Sequence, residues 1–210
     1  LAGRTPDVVG HPMATAGIVT AITDASLRRA NRSLAVELAD LAHANPVPSV
    51  AICAVVGRAD SVDDVVAAVD ERVEARVAMV KLKVTPLRAD LAGVGAVRQA
   101  WPDLRLAVDF NGTADAESLR QLDRLDLAYV EQPAPADALV TSAHLAGLIG
   151  APVALDESIT STGSLDAAVA LGAGRIVNVK PARCGGPHAA AALLAHARND
   201  KVFQNGEDVD

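Results

Sequence analysis

Five short apolar runs in this chain carry charge at the same end. Val77 to Val84 holds Lys81 and Lys83, Leu104 to Phe110 holds Asp109 and leads into Asn111, and Leu127 to Glu131 stops on Glu131. Pro152 to Asp156 is followed by Glu157, and Arg175 to Lys180 stops on Lys180. Asp109, Glu131 and Asp156 offer three carboxylates, the kind of donor set that a hard divalent cation such as Mg2+ takes together with water and substrate oxygens. The lysines flank that set. A lysine beside another cation has its ammonium form disfavoured, so its pKa falls and it can accept a proton near neutral pH. Together these groups describe removal of a proton next to a carboxylate, with the cation stabilising the enediolate that forms. A single charged strand end is most simply a solvated one; the same feature in five consecutive runs points to a shared site.

The elements that must bring those groups together follow from periodicity. Each run is short and rich in Val, Leu, Ile and Ala, as a buried strand is. Each is followed by a stretch with helical spacing: Pro86 to Ala100, Ala114 to Leu125, Asp137 to Ile149, Ser164 to Leu171 and Pro187 to Arg198. Ser49 to Val56 with Ser61 to Ala75 supplies an earlier, sixth unit. Six βα units joined by right-handed crossovers give a parallel sheet. A (β/α) barrel and an open doubly wound sheet both accept that string. The barrel gathers side chains from the carboxyl ends of several strands at one mouth, which matches the repeated placement of charge. The doubly wound sheet expects a Gly-rich phosphate loop after its first strand; none is present, and Gly93-Val94-Gly95 lies inside a helical pattern. Strand alternation aims Lys81 with Lys83, and Asp109 with Asn111, to one face. Upstream, Pro12 to Ala42 is helical in two stretches, so residues 1–45 form a helical entry segment, 46–198 the barrel domain and 199–210 a polar, acidic tail.

Composition narrows the partners. Nineteen basic and 26 acidic side chains leave a net charge of −7, and the aromatics are Trp101, Tyr129, Phe110 and Phe203 alone. Both facts disfavour a nucleic acid. No apolar run reaches bilayer length and no basic-then-apolar leader opens the chain, so no membrane partner is expected. Cys53 and Cys184, neither in a CxxC pair, fit a reduced, cytoplasmic setting. His188 and His196 read as surface or helix-packing residues, Cys184 as a small buried hydrophobe, and Trp101 as the end of a helix packed on the barrel.

Five ordered motifs carry a family resemblance. Val80-Lys81-Leu82-Lys83, Val108-Asp109-Phe110-Asn111, Val130-Glu131-Gln132-Pro133, Leu155-Asp156-Glu157-Ser158 and Asn178-Val179-Lys180-Pro181 with Gly185-Gly186 resemble the KxK, DxN, EQP, DES and NxKP…GG motifs of the enolase superfamily. Within it the chain is most similar to the o-succinylbenzoate synthase and N-succinylamino acid racemase group. The resemblance implies that Lys83 is the α-proton base and that Lys81 orients the substrate carboxylate and lowers the pKa of that base. It implies that Asp109, Glu131 and Asp156 hold Mg2+, with Asn111 and Glu157 orienting those ligands. Lys180 then lies on the opposite face, stabilising the enediolate in a synthase or serving as the second base in a racemase.

The expected fold is therefore an α/β, enolase-type (β/α) barrel, incomplete at about six βα units, with most of the N-terminal capping domain absent. Residues 199–210 are unlike the Gly-rich strand that the family has next, and six strands do not close an eight-stranded ring. The function expected first is a Mg2+-dependent o-succinylbenzoate synthase, a dehydratase of menaquinone biosynthesis acting on a small carboxylate. N-succinylamino acid racemisation and a truncated, non-catalytic barrel remnant are the alternatives. Exposed sheet edges leave a homo-oligomer open.

Overall fold

A computed structural model describes residues 10–41 and 44–199 of the chain. Residues 1–9, 42 and 43 of the proposed entry segment and 200–210 of the tail lie outside the described residues. Two helices come first, α1 (Pro12–Arg29) and α2 (Leu34–Leu41). Pro12 occupies the first turn of α1, where its missing N–H costs nothing, and Arg28 and Arg29 sit in the last turn against the negative end of the helix dipole.

The strands are β1 (Cys53–Val56), β2 (Met79–Lys83), β3 (Leu106–Asp109), β4 (Tyr129–Glu131), β5 (Val153–Leu155) and β6 (Ile176–Val177). The intervening helices are α3 (Val62–Glu74), α4 (Arg88–Ala100), α5 (Ala116–Leu122), α6 (Leu139–Ala146) and α7 (Thr162–Leu171), followed by a single turn α8 (Pro181–Cys184) and α9 (Pro187–Asn199). Helix starts are fixed locally. Ser61 caps α3, while Asp115 with Ser118 and Ser161 with Ser164 form reciprocal capping boxes on α5 and α7.

All six strands are parallel and their order in the sheet is β1-β2-β3-β4-β5-β6. A doubly wound sheet reverses its order at a switch point; this one does not, so right-handed crossovers put successive helices on the same side. The strands thus form an arc of a barrel. The described residues leave β1 and β6 as its two edges.

Alternation divides the arc into an outer and an inner face. On the outer face Val80, Leu82, Leu106, Val108 and Val130 are fully buried against Val69 of α3, Val94 and Val97 of α4 and Leu119 and Leu122 of α5. Val153 and Leu155 join Leu165 and Ala168 of α7 and Leu193 and Ala197 of α9 in a second cluster. Each such aliphatic side chain contributes roughly 1.5 to 3 kcal/mol on burial, enough to fix the register of the strand that carries it. Arg98 on α4 donates to the carbonyls of Trp101, Pro102, Leu104, Leu125 and Asp126, tying together the turns that lead into β3 and β4.

Two corrections concern the last strand and the turn after β3. The run Arg175 to Lys180 is strand only at Ile176 and Val177, because Lys180 already caps the N-terminus of α8. Asn111 has left the strand, with φ +45°, so alternation does not govern its direction. Trp101 ends α4 and packs on the first core as expected, whereas Cys184, read as a buried hydrophobe, packs on the second core only half-buried. His196 pairs with Asp166 of α7 at 2.6 Å and His188 approaches Glu37 of α2 at 3.5 Å.

Two glycines give a paired stability test. A Cβ on Gly174 would lie 2.9 Å from both Leu155 Cγ and the carbonyl oxygen of Val153, whereas one on Gly95 of α4 meets nothing within 4 Å. Gly174→Ala is expected to lower stability by about 1 to 3 kcal/mol through overpacking. Gly95→Ala raises it by about 0.5 to 1 kcal/mol by restricting the unfolded chain and favouring the helix. Thermal melts of the two variants check the opposite signs.

Candidate active site

Strand register assembles the charged residues. Lys83 pairs with Asp109, Asp109 with Glu131, and Glu131 with Ala154, so one row on the inner face reads lysine, aspartate, glutamate, alanine. Asp156 lies two residues beyond Ala154, just past the end of β5, on the same face of the arc. The neighbouring row holds Lys81, Ala107 and Tyr129. Small Ala107 and Ala154 leave room between the charged side chains, all of which gather at the carboxyl end of the sheet.

The three carboxylates are buried and each is paired. Glu131 is 1% exposed; it accepts from Lys81 Nζ at 2.5 Å and from Asn178 Nδ2 at 3.1 Å. Asp109 accepts from Lys83 Nζ at 3.2 Å and from the backbone N–H of Asn111 at 2.9 Å, with Lys81 Nζ 3.7 Å away. Asp156 accepts from Lys180 Nζ at 2.5 Å and from Arg183. Burial pulls the Lys81 ammonium down, but its hydrogen bond to Glu131 and the charges of Glu131 and Asp109 together hold it above its ordinary value. Lys81 is therefore a fixed positive neighbour of Lys83. Beneath it, burial pushes the Cys53 thiol and the Tyr129 hydroxyl up, and nearby carboxylates add to the effect on Tyr129, so both stay protonated.

Asn111 and Glu157 close the rim. The turn after β3 needs two successive residues at positive φ, Asn111 and Gly112 at +86°, and a Cβ on Gly112 would approach Pro135 Cα to 3.1 Å. That turn brings Asn111 Oδ1 to 2.6 Å from Lys83 Nζ and its Nδ2 to 3.3 Å from Glu157 Oε1. Every residue expected at the site from the sequence is thus at one strand end. Lys83 and Lys180, with side chains 42% and 48% exposed, face the open side while the carboxylates lie below them.

Three contributors had no role assigned from sequence. Arg183 stands one helical turn after Lys180, and that spacing on a one-turn helix is the signal for a shared direction. Asn178 and Gln132 lie inside motifs already recognised, and their positions beside Lys180 and Glu131 marked them. The segment that carries Lys180 and Arg183 is braced from behind by α1, where a Cβ on Gly186 would stand 3.1 Å from Val19 Cγ1.

Donor chemistry decides whether the residues suit a divalent cation. Three buried carboxylates on adjacent strand ends are oxygen donors of the kind Mg2+ takes, and the buried Oε2 of Glu157 has no hydrogen-bond partner among the described residues. Each carboxylate is turned toward a protein cation, and among the described residues no three Asp, Glu, His or Cys side chains converge in metal-holding geometry. The four carboxylates Asp109, Glu131, Asp156 and Glu157 are balanced by Lys81, Lys83, Lys180 and Arg183. By donor type the set suits a hard cation, while the side chains as placed are turned to the lysines and Arg183.

Relatives place this arrangement. Residues 64–202 match the family model described as "Enolase C-terminal domain-like". The N-succinylamino acid racemase of Thermus thermophilus is 37% identical over 84% of this chain and 47% of its own length. The o-succinylbenzoate synthase of Enterococcus faecalis is 33% identical over 94% of this chain and 53% of its own. A solved structure titled as a probable mandelate racemase from Alicyclobacillus acidocaldarius superposes with a TM-score of 0.81 at 37% identity, covering 95% of this chain and 52% of that one. The chain spans about half the length of the curated relatives it matches. With a parallel barrel arc, charged groups at its carboxyl end and a family model covering more than half of its residues, the chain belongs to the enolase superfamily.

Proposed function

We propose that this chain supplies the proton-abstracting face of a Mg2+-dependent o-succinylbenzoate synthase. The observation that carries the reading is the pair of accessible lysines, Lys83 and Lys180, rising from opposite sides of one buried row of carboxylates. Asp109, Glu131 and Asp156 would hold the cation, which supplies charge stabilisation to a small substrate carboxylate as it gains negative charge. Lys83 in its neutral form takes the α-proton: the new N–H bond forms as the C–H bond breaks, and the electron pair moves into the carboxylate as an enediolate. The Lys180 ammonium faces that charge from the other side. Lys83 then returns its proton to the departing hydroxyl, which leaves as water. Asn111 holds Lys83 toward Asp109 between these events.

Racemisation of an N-succinylamino acid is a second reading, favoured by the 37% identity to a relative of that name and by the comparable exposure of the two lysines. In it Lys83 and Lys180 are opposed bases, one removing the α-proton and the other delivering a proton to the opposite face. The two are separated by incubating the full-length protein with each substrate in D2O with Mg2+. Dehydration without deuterium wash-in to an N-succinylamino acid supports the synthase; α-deuteration with loss of optical rotation supports the racemase. Neither activity, in protein that binds Mg2+, would overturn both.

A further inference from the structure

The side chain that joins the carboxylate-bearing strands is Gln132, the residue after Glu131. It is 1% exposed, and its backbone has φ +41°, a left-handed conformation that a residue other than glycine rarely adopts. In that conformation its side chain reaches across to the end of β5. Gln132 Oε1 accepts from the backbone N–H groups of Asp156 at 2.9 Å and Ser158 at 3.3 Å. Its Nε2 donates to Ser158 Oγ at 2.7 Å and to the carbonyl of Ala134 at 2.8 Å. Two lone pairs and two N–H groups are all that a primary amide has, so the group is saturated and its orientation is fixed. The main chain of Gln132 adds two more links. Its N–H donates to Ala154 of β5 at 2.8 Å, and its carbonyl accepts from Gly112, in the turn after β3, at 2.7 Å.

One residue therefore fastens the ends of the three strands that bear Asp109, Glu131 and Asp156. We propose that Gln132 is the positioning residue that sets the spacing of Glu131 and Asp156, and through it the affinity of this strand end for a divalent cation; the proposal rests on the metal-dependent reading above. No other common side chain meets the requirement. Asparagine is one methylene short, glutamate lacks the two donors, and methionine fills the space while leaving the Asp156 and Ser158 N–H groups without their acceptor.

The test is the dissociation constant for Mg2+, by calorimetry on the full-length protein without substrate. It compares the unaltered chain with Gln132→Met, Gln132→Asn and Ser142→Ala. Ser142 is also 1% exposed and donates to the carbonyl of Ala173 at 3.0 Å, away from the site, so it reports what loss of a buried hydrogen bond does by itself. Loss of groups that orient metal ligands weakens binding by about 10- to 100-fold, and that rise is expected for Gln132→Met, with Ser142→Ala unchanged to within about twofold. Should Gln132→Met fail to fold, Gln132→Asn, which keeps an amide in the space, decides by the same shift. Unaltered affinity in the folded Gln132 variants, or an equal loss in Ser142→Ala, would overturn the positioning role and leave the functional reading standing. Absence of Mg2+ binding by the unaltered protein would overturn both.

Discussion

If Lys83 is the base proposed above, Lys83→Ala is expected to lower turnover by about 10²- to 10⁴-fold and to leave the melting transition of the protein close to its original midpoint. The asymmetry follows from where Lys83 sits. Its side chain is 42% exposed at the mouth of the arc, so truncation opens no cavity in either core. Asp109 keeps Lys81 at 3.7 Å and the Asn111 N–H at 2.9 Å as counter-groups. No neighbour takes over as base, because Lys81 is held in its charged form by Glu131 and Asn111 carries no titratable proton. Steady-state kinetics with a circular-dichroism melt check both halves; a variant that turns over near the original rate would reassign the base.

Asp156→Ala acts on stability and on metal response together. Asp156 is 1% exposed and is the shared partner of Lys180 and Arg183. Lys180 is 48% exposed and returns to water, but Arg183, at 16%, is left with Glu157 alone at 3.9 Å. Breaking a buried pair on one side costs about 3 to 5 kcal/mol, and the exposure of Lys180 puts the expected loss at the lower end. In the unaltered protein, Mg2+ that binds only the folded state raises the midpoint; in the variant that rise is expected to disappear. Thermal melts with and without Mg2+ read both effects, and a preserved Mg2+ response would remove Asp156 from the site.

The elements carrying the site were legible in the sequence because outward-facing Val and Leu must alternate with inward-facing charge on these strands, and the alternation is visible at Lys81, Lys83 and Asp109. Where regular geometry stops, so does that legibility. The strand expected to continue to Lys180 ends at Val177, since Pro181 favours the first turn of a helix and Lys180 becomes its cap. Asn111 reaches Lys83 through a left-handed turn, not through strand alternation. The roles of Arg183 and Gln132 depend on contacts with Asp156, just past the end of β5, which the spacing of Arg183 from Lys180 and the motif position of Gln132 point toward without specifying.

Because among the described residues each strand pairs only with its immediate predecessor and successor in the chain, as Val80 does with Leu106 and Val130 with Val153, no pairing there spans more than one βα unit. Loop closure then costs about the same at every step, and no strand must wait for a distant partner. The sheet can grow in the order in which the ribosome delivers it, β1 to β6, each arriving helix covering the outer face of the strands before it. Under that order the two acidic strands are zipped before Lys180 and Arg183 emerge, and Asp156 gains its counter-charges only when the last turn docks. The α8 segment, which carries the counter-charges of Asp156, is then the last part of the site to be delivered.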